Sequence, residues 1–272
     1  MGSVATKQSY DDIAHRMSRS QTEYMRMCKS HYAFIDKRFG VDNHELLSEF
    51  VQGITMTFRG DDRLLKVPLN RLPESSRQGV KITRNIMKRL LPLINEAPKA
   101  QRQLYLFRAH HFDTLPKAGS VIEFRLPMST SMTHTLTVEW IVARLHEPSY
   151  KPVLMVVRVP AGTGGLLCIG CPTPHGCSIE HQRTFRVGPQ TGWAYQALMQ
   201  NQLQNQSEVI LAPGKVRVTG TTEFRMTDIH NLDRYGLGWY TSVQTKKVNQ
   251  SKVITCIFVD LLAANEHSPP RR

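Results

Sequence analysis

Near residue 103 the sequence changes from helical to strand-like patterning, and this change limits the folds available to the chain. Before it, apolar residues recur at helical spacing, most clearly from Val80 to Leu91, which predicts an amphipathic helix closed by Pro92 and Pro98. After it, short apolar segments separated by Pro, Gly and polar clusters predict strands at 104–107, 120–126, 153–159, 165–169, 209–211, 216–219 and 253–261. One further helix is predicted at 133–145. Strands with few helices between them favour an α+β fold over a doubly wound parallel sheet.

The composition is that of a folded protein with a basic surface. In 272 residues, 40% are hydrophobic and the formal net charge is +13, which excludes wholesale disorder, collagen and a coiled coil. The charge has two interpretations: an ordinary solvated surface, or attraction to an anionic partner such as a phosphate-bearing cofactor, an acidic protein or nucleic acid.

The targeting signals favour an intracellular protein. No apolar stretch is long enough for a membrane span, and the N-terminus has no apolar core of a signal peptide. Five cysteines form an odd, sparse set that is not typical of a secreted disulfide scaffold. Gly2 and Thr6 fit a myristoylation pattern, which a chance match explains equally well.

Three polar insertions interrupt the apolar segments of the second region. Arg108 ends the strand 104–107, Ser129-Thr-Ser131 ends the strand 120–126, and Glu208 directly precedes the strand 209–211. Burying such groups costs free energy unless they are paired, and an arginine cannot lose its charge. Each has a structural explanation: a core ion pair for Arg108, a helix cap for Ser129, and an edge position for Glu208.

Together and in this order, the three insertions resemble a known constellation. The pieces are Leu104-Tyr-Leu-Phe-Arg108, Met128-Ser-Thr-Ser131 and Gln206-Ser-Glu-Val-Ile-Leu-Ala-Pro-Gly214. This set resembles the Arg-Ser-Glu class of mono-ADP-ribosyltransferases, which includes cholera toxin and the Rho-modifying exoenzymes. The chain departs from the class at Ala109, where a glycine is usual, and at Pro127, where an aromatic residue is common.

The resemblance implies a fold and a domain organisation. The expected core has two packed, mostly antiparallel β-sheets around an NAD cleft, with N-terminal helices across one side. It implies a helical region at 1–103, a catalytic core at 104–264 and a flexible tail at 265–272.

The resemblance also implies roles on the NAD side of the site. Glu208 would stabilise the ribosyl cation that forms as nicotinamide leaves, and Arg108 would bind the pyrophosphate or the adenylate side. Ser129 would orient Glu208. The remaining residues expected to contact NAD are Ala109, Thr130 and Ser131.

On the acceptor side, Gln206 stands where arginine-modifying members of the class have a second glutamate. A glutamine has no charge and cannot act as a base, so the acceptor is expected to be an Asn- or Gln-type amide or a nucleobase. The acceptor would belong to a protein or a nucleic acid. Two alternatives remain: an NAD glycohydrolase, in which water replaces the acceptor, and an inactive binding module of the same fold.

A separate cluster of potential metal ligands begins in the predicted strand at 165–169 and continues into the segment after it. Cys168, Cys171, His175 and Cys177 fall within ten residues. Zinc is bound by four such ligands, although this spacing matches no standard zinc finger. An ordinary loop of reduced thiols is the alternative.

Overall fold

The computed structural model describes residues 10–39, 67–132, 137, 141, 152–168, 208–225 and 253–262. Helices come first and strands follow from residue 104 onward, which confirms the predicted α+β class. Of the predicted helix at 133–145, residues 137 and 141 are helical and the others lie outside the described residues. The elements are α1 (Tyr10–Phe39), a 3-10 turn (Leu69–Arg71), α2 (Glu74–Glu96), β1 (Leu104–His111), β2 (Val121–Phe124), β3 (Met128–Ser131), β4 (Pro152–Val159), β5 (Leu166–Cys168), β6 (Glu208–Leu211), β7 (Gly214–Arg225) and β8 (Val253–Leu261).

The eight described strands form one continuous sheet in the order β2-β7-β8-β4-β1-β3-β6-β5. Neighbours pair antiparallel except β4 and β8, which are parallel. The family resemblance implied two packed sheets. The described strands form one sheet, in which a five-strand part and a three-strand part are joined through a single residue pair, Phe107 of β1 with Ser131 of β3. The three polar insertions lie at this junction.

Two local expectations are wrong. Pro92 does not end α2, which continues to Glu96 and is capped where the Ala97 N–H donates to the Leu93 carbonyl at 3.0 Å. A proline near the end of a helix removes one donor, and the turns that precede it keep theirs. The three hydroxyl residues do not end the strand at 120–126, because β2 stops at Phe124 and they form a strand of their own, β3.

Both helices share a hydrophobic core with the sheet. Most of their buried apolar residues pack against the strands in one cluster, as those of amphipathic helices do, whereas Ile13 of α1 belongs to a second cluster. The principal members of the first core are Tyr24, Met27, Ile35, Leu90, Ile94, Leu104, Leu106, Met155, Val209 and Leu211. The second cluster, which includes Phe107, Leu154 and Phe258, lies apart from this core. No described helix combines the length and apolar composition that a membrane crossing requires. The division at residue 103 stays a prediction.

A buried histidine ties α1 to the sheet. His31 Nδ1 accepts a hydrogen bond from the Cys168 N–H at 2.8 Å, and its Nε2 lies 2.7 Å from the Pro98 carbonyl. Because a carbonyl only accepts, Nε2 carries the proton and the ring is neutral. Burial lowers the pKa of His31 to about 4.

We expect His31 to make the fold sensitive to acid. An unfolded histidine has a pKa of about 6.5, so between pH 6.5 and pH 4 the unfolded chain binds more protons and stability falls as the pH is lowered. In His31→Gln, the drop in Tm between pH 7 and pH 5 should be about 4–8 °C smaller than in the unmodified protein. Thermal denaturation at both pH values tests this, with His15→Gln, an exposed residue of the same helix, as the control. An equal drop in all three proteins would contradict it.

Candidate active site

Strands β3 and β6 place two serines and a glutamate on one face of the sheet. Ser131 pairs with Glu208 and Ser129 with Ile210, and side chains two residues apart on a strand share a face. Ser129 is therefore the diagonal neighbour of Glu208, within reach of a hydrogen bond. The motif residues that lie far apart in sequence meet here because these two strands are adjacent.

The carboxyl group of Glu208 is buried, and its two oxygens differ in their hydrogen bonding. The side chain is 4% exposed, and its Oε1 accepts a short hydrogen bond from the Ser129 hydroxyl. Its Oε2 is also buried and accepts no hydrogen bond from any residue that the structure describes. A buried carboxyl oxygen without a donor is costly, so this atom is suited to a hydrogen-bond donor from a ligand.

The surroundings of Glu208 place its titration near neutral pH. Burial raises the pKa of Glu208 to about 7, against the lowering effects of the Ser129 hydrogen bond and the positive charge of Arg108. A cation bound beside the carboxyl would lower this pKa and favour the ionised form. The Glu208 carboxyl is therefore partly ionised near neutral pH, and it becomes fully ionised when a positively charged ligand binds beside it.

Arg108 reaches the same serine from the other part of the sheet. Its guanidinium Nη1 donates to the Ser129 carbonyl oxygen at 2.6 Å. Ser129 thus accepts from Arg108 through its backbone and donates to Glu208 through its side chain. This chain of contacts joins β1, β3 and β6 across the junction.

The other predicted NAD-contact residues differ in their orientation. Thr130 is buried and its Oγ1 donates to the Val209 carbonyl at 2.6 Å, so it braces β3 against β6. Ala109 packs against the second hydrophobic cluster with Phe107, and side chains alternate along β1, so its methyl group points away from the side that carries Arg108. Ser131 lies opposite Glu208.

His110 and His111, which follow shortly after Arg108, have two interpretations from the sequence: contacts on the acceptor side, or a polar end of the strand. The His110 ring makes edge contacts with Phe112, at 4.4 Å between ring centroids, and with Phe124, at 5.7 Å. Burial, with smaller effects of Arg108 and His111, lowers the pKa of His110 to about 4, so the imidazole is neutral at physiological pH. Side chains two residues apart on a strand share a face, so the position of His110 two residues after Arg108 could have predicted that its ring lies beside the site.

The predicted zinc site receives no support from the described residues. Cys168 is buried in the first core, with its Sγ 3.0 Å from that of Cys28. Cys171, His175 and Cys177 lie outside the described residues, as does Gln206. Within the described ranges, no group of three or more His, Cys, Asp or Glu residues could hold a metal ion.

Comparison with known proteins finds similarity in structure alone. No protein-family model matches the chain, and no curated protein matches it in sequence. The fold is similar to Vis toxin, an ADP-ribosyltransferase from Vibrio splendidus, at 13% identity and a TM-score of 0.45, over 96% of this chain and 90% of that one. It is also similar to Plx2a, an ADP-ribosyltransferase toxin from Paenibacillus larvae, at 11% identity and a TM-score of 0.43, over 90% and 97%.

A third structure, C3stau2 from S. aureus, solved with NAD, matches at 10% identity and a TM-score of 0.30, over 72% of this chain and 74% of that one. Because these sequence identities and TM-scores are low, the function proposed for this chain rests on its own contacts and motifs.

Proposed function

We propose that this chain is a mono-ADP-ribosyltransferase that cleaves NAD between nicotinamide and ribose and transfers ADP-ribose to a macromolecule. The observation that carries the proposal is the Glu208 carboxyl group, buried at the head of β6 with one oxygen held by Ser129. Its other oxygen accepts no hydrogen bond within the described site. The order of the Arg, Ser-Thr-Ser and Gln-x-Glu motifs supports the same assignment.

The chemistry explains why a buried carboxylate is needed. As nicotinamide leaves, positive charge develops on the ribose, as in glycoside hydrolysis. Glu208 would stabilise that charge and accept a hydrogen bond from the ribose 2-hydroxyl at Oε2. Preorganised interactions of this kind contribute about 3–4 kcal/mol per group. The nicotinamide of NAD is itself cationic, so its arrival would favour the ionised carboxyl.

Arg108 would position NAD in the site, and Ser129 would position the Glu208 carboxyl. A planar guanidinium suits the paired oxygens of a phosphate, so Arg108 is assigned to the pyrophosphate or the adenylate side of NAD. Its hydrogen bond to the Ser129 carbonyl fixes its distance from the strand that carries Ser129. Ser129 in turn holds the Glu208 carboxyl in one orientation. Ser131 completes the assigned NAD-binding set, Thr130 supports it by bracing β3, and Ala109 could contact NAD only through its backbone.

Gln206 is assigned to the acceptor. A protonated guanidinium must lose a proton to become a nucleophile, and glutamine offers no base for that step. An amide nitrogen or a nucleobase amine held in line can trap the reactive ribosyl cation if water is excluded. We therefore assign an Asn- or Gln-type amide or a nucleobase, rather than arginine, as the acceptor.

Labelled NAD distinguishes the proposal from its two alternatives. Incubation with a cell lysate should transfer the label to a macromolecule, and polyarginine added alone should stay unlabelled. Protease and nuclease treatment of the labelled material identifies the acceptor class. Release of ADP-ribose without labelling would instead assign an NAD glycohydrolase. An intact NAD pool would assign an inactive module, and efficient labelling of polyarginine would overturn the acceptor assignment.

A further inference from the structure

Two cysteines far apart in sequence meet in the first hydrophobic core. Cys28 of α1 and Cys168 of β5 are both fully buried, and their sulfur atoms lie 3.0 Å apart. Met132 adds a third sulfur, 3.9 Å from that of Cys28. A disulfide bond is about 2.05 Å long, so the two sulfur atoms lie only about 1 Å farther apart than bonded ones, and a rotation of the two side chains is enough to bring them closer.

The surrounding contacts hold the two cysteines in this position. His31 lies one helical turn after Cys28 on the same face of α1, and it accepts the hydrogen bond of the Cys168 N–H at 2.8 Å. On the other side, Cys168 pairs with Val209 in the β5–β6 ladder. The backbone of each cysteine is therefore fixed by the fold, independently of the sulfur contact.

We propose that Cys28 and Cys168 form a disulfide bond when the chain folds in the presence of a small-molecule disulfide such as glutathione disulfide. One cysteine thiolate attacks glutathione disulfide, forming a mixed disulfide and releasing one glutathione. The second cysteine thiolate then attacks the protein sulfur of that mixed disulfide and releases the other glutathione. The two cysteines are oxidised by two electrons, and the two glutathione thiols carry away those electrons and the two protons.

The bond would connect α1 covalently to the strand beside the candidate active site. It closes a loop between positions 140 residues apart, and long loops lose the most conformational freedom when they are closed in the unfolded chain. We expect the Tm of the oxidised protein to exceed that of the reduced protein by about 5 °C or more. A crosslinked Cys168 is also unable to bind zinc, so the bond and the predicted zinc site exclude each other.

Refolding of the full-length chain tests the proposal directly. Because both thiols are buried, the chain is unfolded and reduced, then refolded with glutathione disulfide or with reduced glutathione alone. Thiol titration in denaturant should find two fewer reactive groups than the five cysteines of the sequence after oxidation. Peptide mapping by mass spectrometry should identify a peptide in which Cys28 is joined to Cys168.

Matched variants separate this pair from the other cysteines. Cys256 is buried in the second cluster, so Cys256→Ala should keep the crosslinked peptide and the rise in Tm on oxidation. Cys28→Ala should lose both. The peptide map of the unmodified chain decides the matter even if Cys28→Ala folds poorly. Finding no Cys28–Cys168 peptide, or finding Cys168 joined to Cys171 or Cys177, would overturn the proposal, whether or not the chain cleaves NAD.

Discussion

Replacing Glu208 by Gln should reduce the rate of the proposed NAD cleavage by about 100-fold or more, because the substitution removes the charge that we propose to stabilise the ribosyl cation. Gln has nearly the same volume, and its carbonyl oxygen can still accept the Ser129 hydrogen bond. The loss should therefore appear in kcat, while the affinity for NAD changes little. Release of nicotinamide at saturating NAD measures it.

Two controls separate catalysis from folding in this experiment. Glu223→Gln makes the same chemical change on an exposed position of β7 and should retain full activity. At pH 8, where the buried Glu208 is ionised, the Tm of Glu208→Gln should equal or exceed that of the unmodified protein, because a buried charge has been removed. A folded Glu208→Gln that keeps most of its turnover would remove this residue from the mechanism.

Replacing Arg108 by Lys should weaken NAD binding by about 10-fold to 100-fold, because a lysine keeps the charge but loses the planar fork that suits a phosphate. Lysine also presents a different donor geometry to the Ser129 carbonyl, which accepts a hydrogen bond from Arg108 Nη1 at 2.6 Å. We expect the loss mainly in KM for NAD. Arg158→Lys, a paired and exposed arginine of β4, serves as the control and should leave KM unchanged.

A second substitution, Arg108→Gln, tests how the positive charge of Arg108 affects the pKa of Glu208. The positive charge of Arg108 lowers the pKa of Glu208, which burial raises to about 7. The proposed cleavage requires the ionised carboxyl, and kcat/KM reports the titration of the free protein, so kcat/KM for NAD should rise with pH through about 7 in the unmodified protein. Arg108→Gln should move this midpoint upward and Arg108→Lys should not. A midpoint common to all three proteins would show that Arg108 does not influence the carboxyl group.

The sequence predicted most of the strands and singled out three polar residues that the fold brings together, for a physical reason. Short apolar segments bounded by Pro and Gly are typical of strands, and a polar residue at the end of a buried strand needs a hydrogen-bonding or charged partner. Arg108, Ser129 and Glu208 could therefore be singled out one by one. Ser129 does contact both of the others, as the order of the motifs suggested.

What the sequence did not predict depends on contacts between distant residues. Hydroxyl residues have no strand pattern of their own, so β3 was identified only by its pairing with β6. Cys168 was grouped with its sequence neighbours, whereas its partner in the fold is Cys28, 140 positions away. His110 carries no local signal of burial, which comes from Phe112 and Phe124 packed around its ring.

The single residue pair between β1 and β3 has a mechanical consequence for the site. Two strands joined by several residue pairs resist twisting along their whole length, whereas a single pair acts as a pivot. Rotation of the five-strand part relative to the three-strand part therefore costs least free energy at the pair of Phe107 and Ser131. Arg108 belongs to one part and Glu208 to the other. The Arg108 hydrogen bond to the Ser129 carbonyl also crosses this junction, so the gap between the positive and negative groups depends on that bond and on the angle at the pivot. A ligand held by both would fix that angle, so the fit of the site to a dinucleotide would be completed by the ligand itself.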